Sequence, residues 1–105
     1  MPEALREQVQ SYLREHHVMT LASHGNEGVW AAAVFYANDG LATYFLSSPT
    51  SRHCRNLAGN PRVSAAVHEN YTDWREIKGV QMEGIASVLA GEEEEKARRL
   101  YGAKF

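Results

Sequence analysis

The stretch YFLSSPTSRHCRNLAGNPRVS, from Tyr44 to Ser64, decides the reading of this chain. It runs from a β-type segment ending in hydroxyls, through Ser51-Arg52-His53 at the start of a short helix, to Asn60-Pro61 and a further strand. Two readings of its centre stand side by side. Pro49-Thr50-Ser51 can be a turn followed by an N-cap that satisfies orphan backbone donors. Alternatively, a helix N-terminus with its unpaired N–H groups and positive dipole end, lined by hydroxyls and basic side chains, can seat a phosphate. Arg52, His53 and Arg55 fall within one helical turn, at an end where a simple cap would favour acidic residues. Like charges crowded there call for an anion.

Working upstream, Leu5, Val9, Tyr12 and Leu13 recur at helical spacing between Pro2 and about Glu15, which predicts an amphipathic helix over a sheet. His17 to Ser23 reads as a strand, Gly25-Asn26-Glu27-Gly28 as a turn, and Val29 to Ala37 as its partner. Asn38-Asp39-Gly40 is a second tight turn, so Leu41 to Leu46 is expected as a third strand of one meander. Downstream, Arg62 to Glu69 alternates Val63, Ala65 and Val67 against Ser64, Ala66 and His68. Asn70 to Glu76 is a polar and aromatic loop, and Ile77 to Ala90 is expected as a long strand bent at Gly79 and Gly84. Gly91 then precedes Glu92-Glu93-Glu94-Glu95, a solvated helix face with Lys96, Arg98 and Arg99 in reach as partners.

The chain has 105 residues, 44% hydrophobic and 23% charged, which suits one domain spanning 1–105 with one core, and a second protomer would help so small a unit. No apolar run is long enough to span a bilayer, and the acidic, amphipathic N-terminus does not read as a signal peptide, so a cytoplasmic location without membrane attachment is expected. The single Cys54 can form no internal disulfide, which fits a reducing compartment. A formal net charge of −2 argues against nonspecific nucleic-acid binding. No nucleophile elbow, Walker loop or dinucleotide fingerprint is present, and no His, Cys and carboxylate set has the usual zinc spacing.

The order "hydrophobic strand, Ser/Thr, Ser-Arg-His, short helix with Leu57, Asn-Pro-Arg-Val-Ser strand" resembles the phosphate-binding strand and helix of the FMN-binding split β-barrels related to pyridoxamine 5'-phosphate oxidase. Met19 to Ser23, with Trp30 to Tyr36 after the turn, is similar to that family's first hairpin, and Ile77 to Gly84 to its fifth strand. The resemblance runs from about His17 to the end, and a bacterial subgroup with Arg-His at this place is especially similar. It implies a mainly β fold with flanking helices, a six-stranded-type antiparallel split β-barrel. Members usually continue beyond a helix such as the one around Leu100 and Tyr101, so a chain ending at Phe105 is expected to lack the C-terminal strand and leave a barrel edge unpaired.

Carried over by position, the resemblance places the flavin ring along Ala31, Ala32, Ala33, Val34 and Tyr36, mostly against backbone, with Leu46 and Ser47 at the end of the third strand. It places the phosphate at Ser51, Arg52 and His53, and Gln81 at the polar edge of the ring. His53 stands where many relatives have Lys, so its charge is conditional and FMN affinity is expected to be weaker or pH-dependent. Trp30, Tyr71 and Trp74 are candidates for stacking or for packing. The expected function is an FMN-dependent oxidoreductase acting as a homodimer on a small-molecule substrate or electron donor, with no catalytic residue singled out. The alternatives are a non-catalytic flavin binder, a cofactor-free dimer, and a haem-binding split barrel with His68 or His24 as axial ligand.

Overall fold

Alternation of side chains builds the central sheet. In the computed structural model, which describes residues 1–105, β1 (Val18–Gly25) turns Met19, Leu21 and Ser23 inward and leaves Val18, Thr20 and His24 outward. Its partner β2 (Gly28–Phe35) pairs from Val18↔Phe35 to Gly25↔Gly28, and Gly28 takes the positive φ of 100° that closes the turn. After Phe35 the chain keeps one more rung, the Tyr36 amide donating to the His17 carbonyl at 3.0 Å, and then changes partner.

The change of partner is where the structure departs from the expected meander. Ala37–Asp39 (β3) and Ala42–Tyr44 (β4) form a separate two-stranded hairpin around Asn38 and Gly40, and neither pairs with β2. The segment from Leu41 to Leu46 is thus strand for only three residues, because it has no long neighbour to pair with. β5 (Arg62–His68) instead inserts beside β1, and β6 (Gly79–Ile85) beside β5, giving an antiparallel sheet of order β2-β1-β5-β6. The strand expected over Ile77 to Ala90 is shorter than read, since β5 offers pairing only from His68↔Gly79 to Arg62↔Ile85, with one further bond from the Ala86 amide to the Pro61 carbonyl. The expected loop from Asn70 holds a 3₁₀ turn at Trp74–Glu76, capped by Asp73.

Three helices flank the sheet. α1 (Glu3–Glu15) delivers Leu13 into a core of Leu13, Met19, Leu21, Val34, Tyr36 and Val67. Its C-terminal carbonyls, which a helix leaves unpaired, are met by two remote groups. The Tyr36 hydroxyl donates to the Leu13 carbonyl at 2.7 Å, and Lys104 from α3 (Gly91–Lys104) donates to the carbonyls of Leu13 and His16. The Lys104 ammonium also lies 4.2 Å from the centre of the Tyr36 ring. α3 is tied to β3 by Lys96 and Asp39 at 2.5 Å, so Lys96 is spent across the fold rather than along its helix, where Arg98 and Glu94 make the i,i+4 pair. α2 (Arg52–Gly59) docks on the inward side of β1 through Asn56, whose amide donates to Ser23 at 3.1 Å. Both of those polar groups are buried and satisfy one another.

Candidate functional site

The first turn of α2 gathers the hydroxyls. Ser51 is the N-cap: its side chain accepts from the Cys54 amide at 3.3 Å and donates to the Ser48 carbonyl at 2.8 Å. Ser48 and Thr50 bond one another at 2.8 Å, and the Thr50 amide donates to the Ser48 hydroxyl. His53 joins this group, with Nε2 2.8 Å from the Ser47 hydroxyl and 3.4 Å from that of Ser51. Ser47, expected at the end of the third strand, is therefore brought together with Ser51 and His53, beside the half-exposed Leu46. The cap and the hydroxyl cluster coexist in one loop, and the Phe45 ring, 6.1 Å from that of His53, backs it.

The cations behave differently from the sequence expectation. Arg55 does not stand free: its Nε and one Nη donate to the two carboxylate oxygens of Glu27 at 2.8 and 2.9 Å, and its other Nη donates to the Thr50 carbonyl. The bidentate fork holds the Glu27 carboxyl below its usual range and raises the Arg55 guanidinium. The anion that the crowded charges call for is thus partly internal, supplied by the β1–β2 turn. Arg52 reaches the same turn, donating one Nη to the Glu27 carbonyl at 2.6 Å with its guanidinium 4.2 Å from the centre of the Trp30 ring. Its Nε is buried and has no partner. That leaves a buried donor on a permanent cation which no acceptor of the chain meets, a cost the fold bears at this point. Glu27 is the residue the sequence did not single out; it lies 28 positions from Arg55, and no local pattern joins them.

The other expected contacts fall on the opposite side of the sheet. Pairing places Ala33, Thr20, Ala66 and Gln81 in one row across all four strands, and Ala31, Ala22, Ser64 and Glu83 in the next. This outward face holds an open groove of about 480 Å³ lined by Thr20, Ala22, Ser64 and Ala66, with Gln81 and Glu83 at one edge. Ala31 and Ala33 face outward on the strand beside that groove, whereas Ala32, Val34 and Tyr36 turn inward, and Tyr36 is fully buried. A ligand could meet those three only through backbone. β2 pairs with β1 alone, so its outer edge has such groups free. Gln81 lies three strand spacings from β2, roughly 14 Å, on the far edge and on the opposite face from α2. One chain does not bring Gln81 to Ser51, Arg52 and His53.

Of the aromatic candidates, Trp30 lies beneath Arg52, the Tyr71 hydroxyl meets that of Tyr12 at 3.3 Å, and Trp74 is 80% exposed. His68 and His24 both point outward at opposite ends of the open face. His68 bonds the Glu69 carbonyl through Nδ1 at 3.0 Å, which leaves Nε2 to solvent. No helix is long and apolar enough to cross a membrane.

Comparison with known proteins adds four findings. The sequence profile of pyridoxamine 5'-phosphate oxidase matches residues 5–105. A UPF0306 protein of Yersinia pseudotuberculosis is 31% identical over 99 residues, covering 92% of this chain and 67% of its own length. Among solved structures, a haem-binding protein of Mycobacterium smegmatis is 30% identical with a TM-score of 0.84, matching 100% of this chain but 44% of that one, so this chain spans less than half of it. A putative pyridoxamine 5'-phosphate oxidase of Listeria innocua shares the fold at a TM-score of 0.73 and 22% identity, over 98% of this chain and 81% of that one.

Proposed function

The chain belongs to the pyridoxamine 5'-phosphate oxidase family and has the antiparallel sheet and flanking helices of its split barrels, and from that premise we propose that it binds FMN and acts as a flavin-dependent oxidoreductase on a small-molecule substrate or electron donor. The observation that carries the reading is the buried, unpartnered Nε of Arg52 at the hydroxyl-lined first turn of α2. A phosphate placed there would take that donor, the N–H groups of Arg52 and His53 and a hydrogen bond from the His53 ring, and the Ser51 hydroxyl would join only by turning away from the Ser48 carbonyl. The free edge of β2 would hold a flat ring by backbone from Ala31 to Tyr36, with Leu46 and Ser47 at its end. When bound, FMN supplies the electron or hydride transfer; the protein binds the phosphate, orients the ring and limits access to one face.

The separation of Gln81 from α2 favours a homodimer. A second copy laid on the open face would cover the small residues there and could present its Gln81 to the first copy's ring edge. Absorption and fluorescence titration with FMN, and with riboflavin as the analogue lacking phosphate, tests the seat. Tight FMN binding, much weaker riboflavin binding and a loss of about tenfold or more in Arg52→Ala are expected from losing a charge-assisted bond. Equal affinity for the two flavins, or none, would overturn it.

Haem is the second reading, favoured by the likeness to the Mycobacterium smegmatis protein and by the outward His68 with its free Nε2. His24 and His68 sit too far apart along the face to ligate one iron together, so a single axial ligand is expected. Haemin titration that gives a Soret band in the native protein and loses it in His68→Ala would select this reading over FMN.

A further inference from the structure

Glu27 already engages the two arginines that an anion at the start of α2 would seek. Its carbonyl accepts from Arg52 at 2.6 Å, and its carboxylate takes Arg55 in two parallel bonds of 2.8 and 2.9 Å. A single residue of a hairpin turn thereby occupies donors of both permanent cations in the first turn and a half of the helix. A phosphate monoester carries up to two negative charges and three strong acceptor oxygens, against the one charge and two oxygens of a carboxylate, and both fit the same guanidinium fork. The competition is between groups that can part. The Glu27 and Arg55 side chains are 46% and 49% exposed, and neither contributes to the core.

The base of the turn is packed against α2, while its tip meets the helix through polar contacts of exposed side chains. Gly25 lies so close to Asn56 that an added Cβ would come within 2.5 Å of the Asn56 side-chain oxygen, and Asn56 is bonded to Ser23. Beyond Gly25, only the Arg52 and Arg55 contacts bind Glu27 to α2. We infer that Glu27 is an internal competitor for the anion, a clasp that holds Arg52 and Arg55 until a phosphoryl group displaces it and lifts the tip of the β1–β2 turn from α2. The inference rests on the phosphate seat proposed above, and it names the residue that sets the strength of that seat.

The test compares the full chain with Glu27→Gln, with Arg55→Gln, with the double variant, and with Glu3→Gln as a control that removes a negative charge from α1. Each is titrated with FMN, with riboflavin and with inorganic phosphate. In a Trp74→Phe background, Trp30 is the single tryptophan and reports whether Arg52 leaves its ring. Glu27→Gln is expected to bind FMN and inorganic phosphate about three- to tenfold tighter with riboflavin unchanged. The gain should vanish when Arg55→Gln is added, should be absent from Glu3→Gln, and phosphate should shift Trp30 emission in the native protein. Phosphate-dependent FMN binding that Glu27→Gln leaves within about twofold, or weakens, overturns the clasp and keeps the flavin reading. Indifference of every variant to both FMN and inorganic phosphate overturns both. Tighter FMN binding in Glu27→Gln that survives Arg55→Gln overturns the clasp in favour of a general charge effect.

Discussion

The two faces of one four-stranded sheet are built from alternate residues of the same strands, yet they differ in kind. Inward, Met19, Leu21 and Val67 are 1 to 2% exposed and close a core with Leu13 and Tyr36. Outward, Val18, Phe35 and Ile85 remain 41, 57 and 70% exposed around a floor of Ala22, Ala31, Ala33 and Ala66. An antiparallel sheet that faces water on one side ordinarily alternates apolar with polar or charged residues. Here Thr20, His24, Arg62, Ser64, His68, Gln81 and Glu83 follow that rule, but the middle of the face is a floor of alanines flanked by Val18, Phe35 and Ile85. The inward face is completed by this chain's own helices, whereas the alanine floor of the outward face is covered by none of them.

The sharpest way to break this contrast is to truncate neighbours on β1. Leu21→Ala removes a side chain that is 2% exposed, with an expected loss of about 2 to 5 kcal/mol. Thr20→Ala, one position away and outward, should change stability by no more than about 0.5 kcal/mol. Urea unfolding of the two variants reads the difference directly, and comparable losses would mean that both faces are equally committed within a single chain.

Alkaline pH tests the inward face by another route. Burial, aided by the neighbouring Tyr12, pushes the Tyr36 phenol up to about 12. Below the ordinary tyrosine value the group is neutral in both states and its contribution is complete. Between about pH 10 and about pH 12 the unfolded chain ionises while the folded one does not, so stability falls by roughly 2 to 3 kcal/mol in all. Tyr71, raised by its bond to Tyr12, adds in the same sense, and Lys104, lowered by burial, opposes. The quantity to measure is therefore the difference between the native protein and Tyr36→Phe in denaturant unfolding at about pH 9 and about pH 11.5. A smaller decline in the variant is expected, and parallel declines would remove Tyr36 as the source. A third, smaller effect probes the α2 corner. Gly25→Ala would set its Cβ 2.5 Å from the Asn56 oxygen and 3.0 Å from the Asn56 Cα, and should cost about 1 to 3 kcal/mol as α2 is pushed off β1. Gly59→Ala, where nothing lies within 4 Å, is its control.

What could be read in the sequence was what local physics decides. Leu13 at helical spacing, Met19 and Leu21 alternating with Thr20, and Ser51 before Arg52 each declare their environment within a few residues, and each lies where expected. Ser51 and His53 were legible as neighbours because one helix start holds them both, whereas Ser47, expected beside the ring at the end of the third strand, joins them through the connecting loop. The family resemblance, resting on the order of such segments, stands with them. Pairing between distant segments was not legible. Nothing near Tyr36 announces that the strand leaves β1 for β4, and nothing near Val63 says that β5 will lie between β1 and β6. The Glu27 and Arg55 pair depends on the same long-range geometry, which places a hairpin tip over a helix 25 residues on. Reading Arg52, His53 and Arg55 as an uncompensated cluster followed from seeing their charge without that turn.

The last prediction asks whether the outward face is a contact surface or simply a poorly decorated one, and its expected effect on the fold is the smallest. Ala66→Arg places a long cation in the row of Ala33, Thr20 and Gln81, where the groove is open and the side chain can extend into water. In an isolated chain this should alter stability by no more than about 0.5 kcal/mol, since nothing within the chain packs there. Between two copies related by a two-fold axis, the substitution would bury two like charges near one another against alanines, and desolvation together with repulsion would oppose association. Analytical ultracentrifugation should then show the native protein as a dimer and Ala66→Arg as a monomer with an unchanged melting transition extrapolated to low concentration. A variant that stays dimeric would place the second copy elsewhere and free the outward face for a different occupant. A variant that unfolds would show that Ala66 belongs to the interior of a single chain, and the distinction between the two faces would fail at the point where it is most exposed.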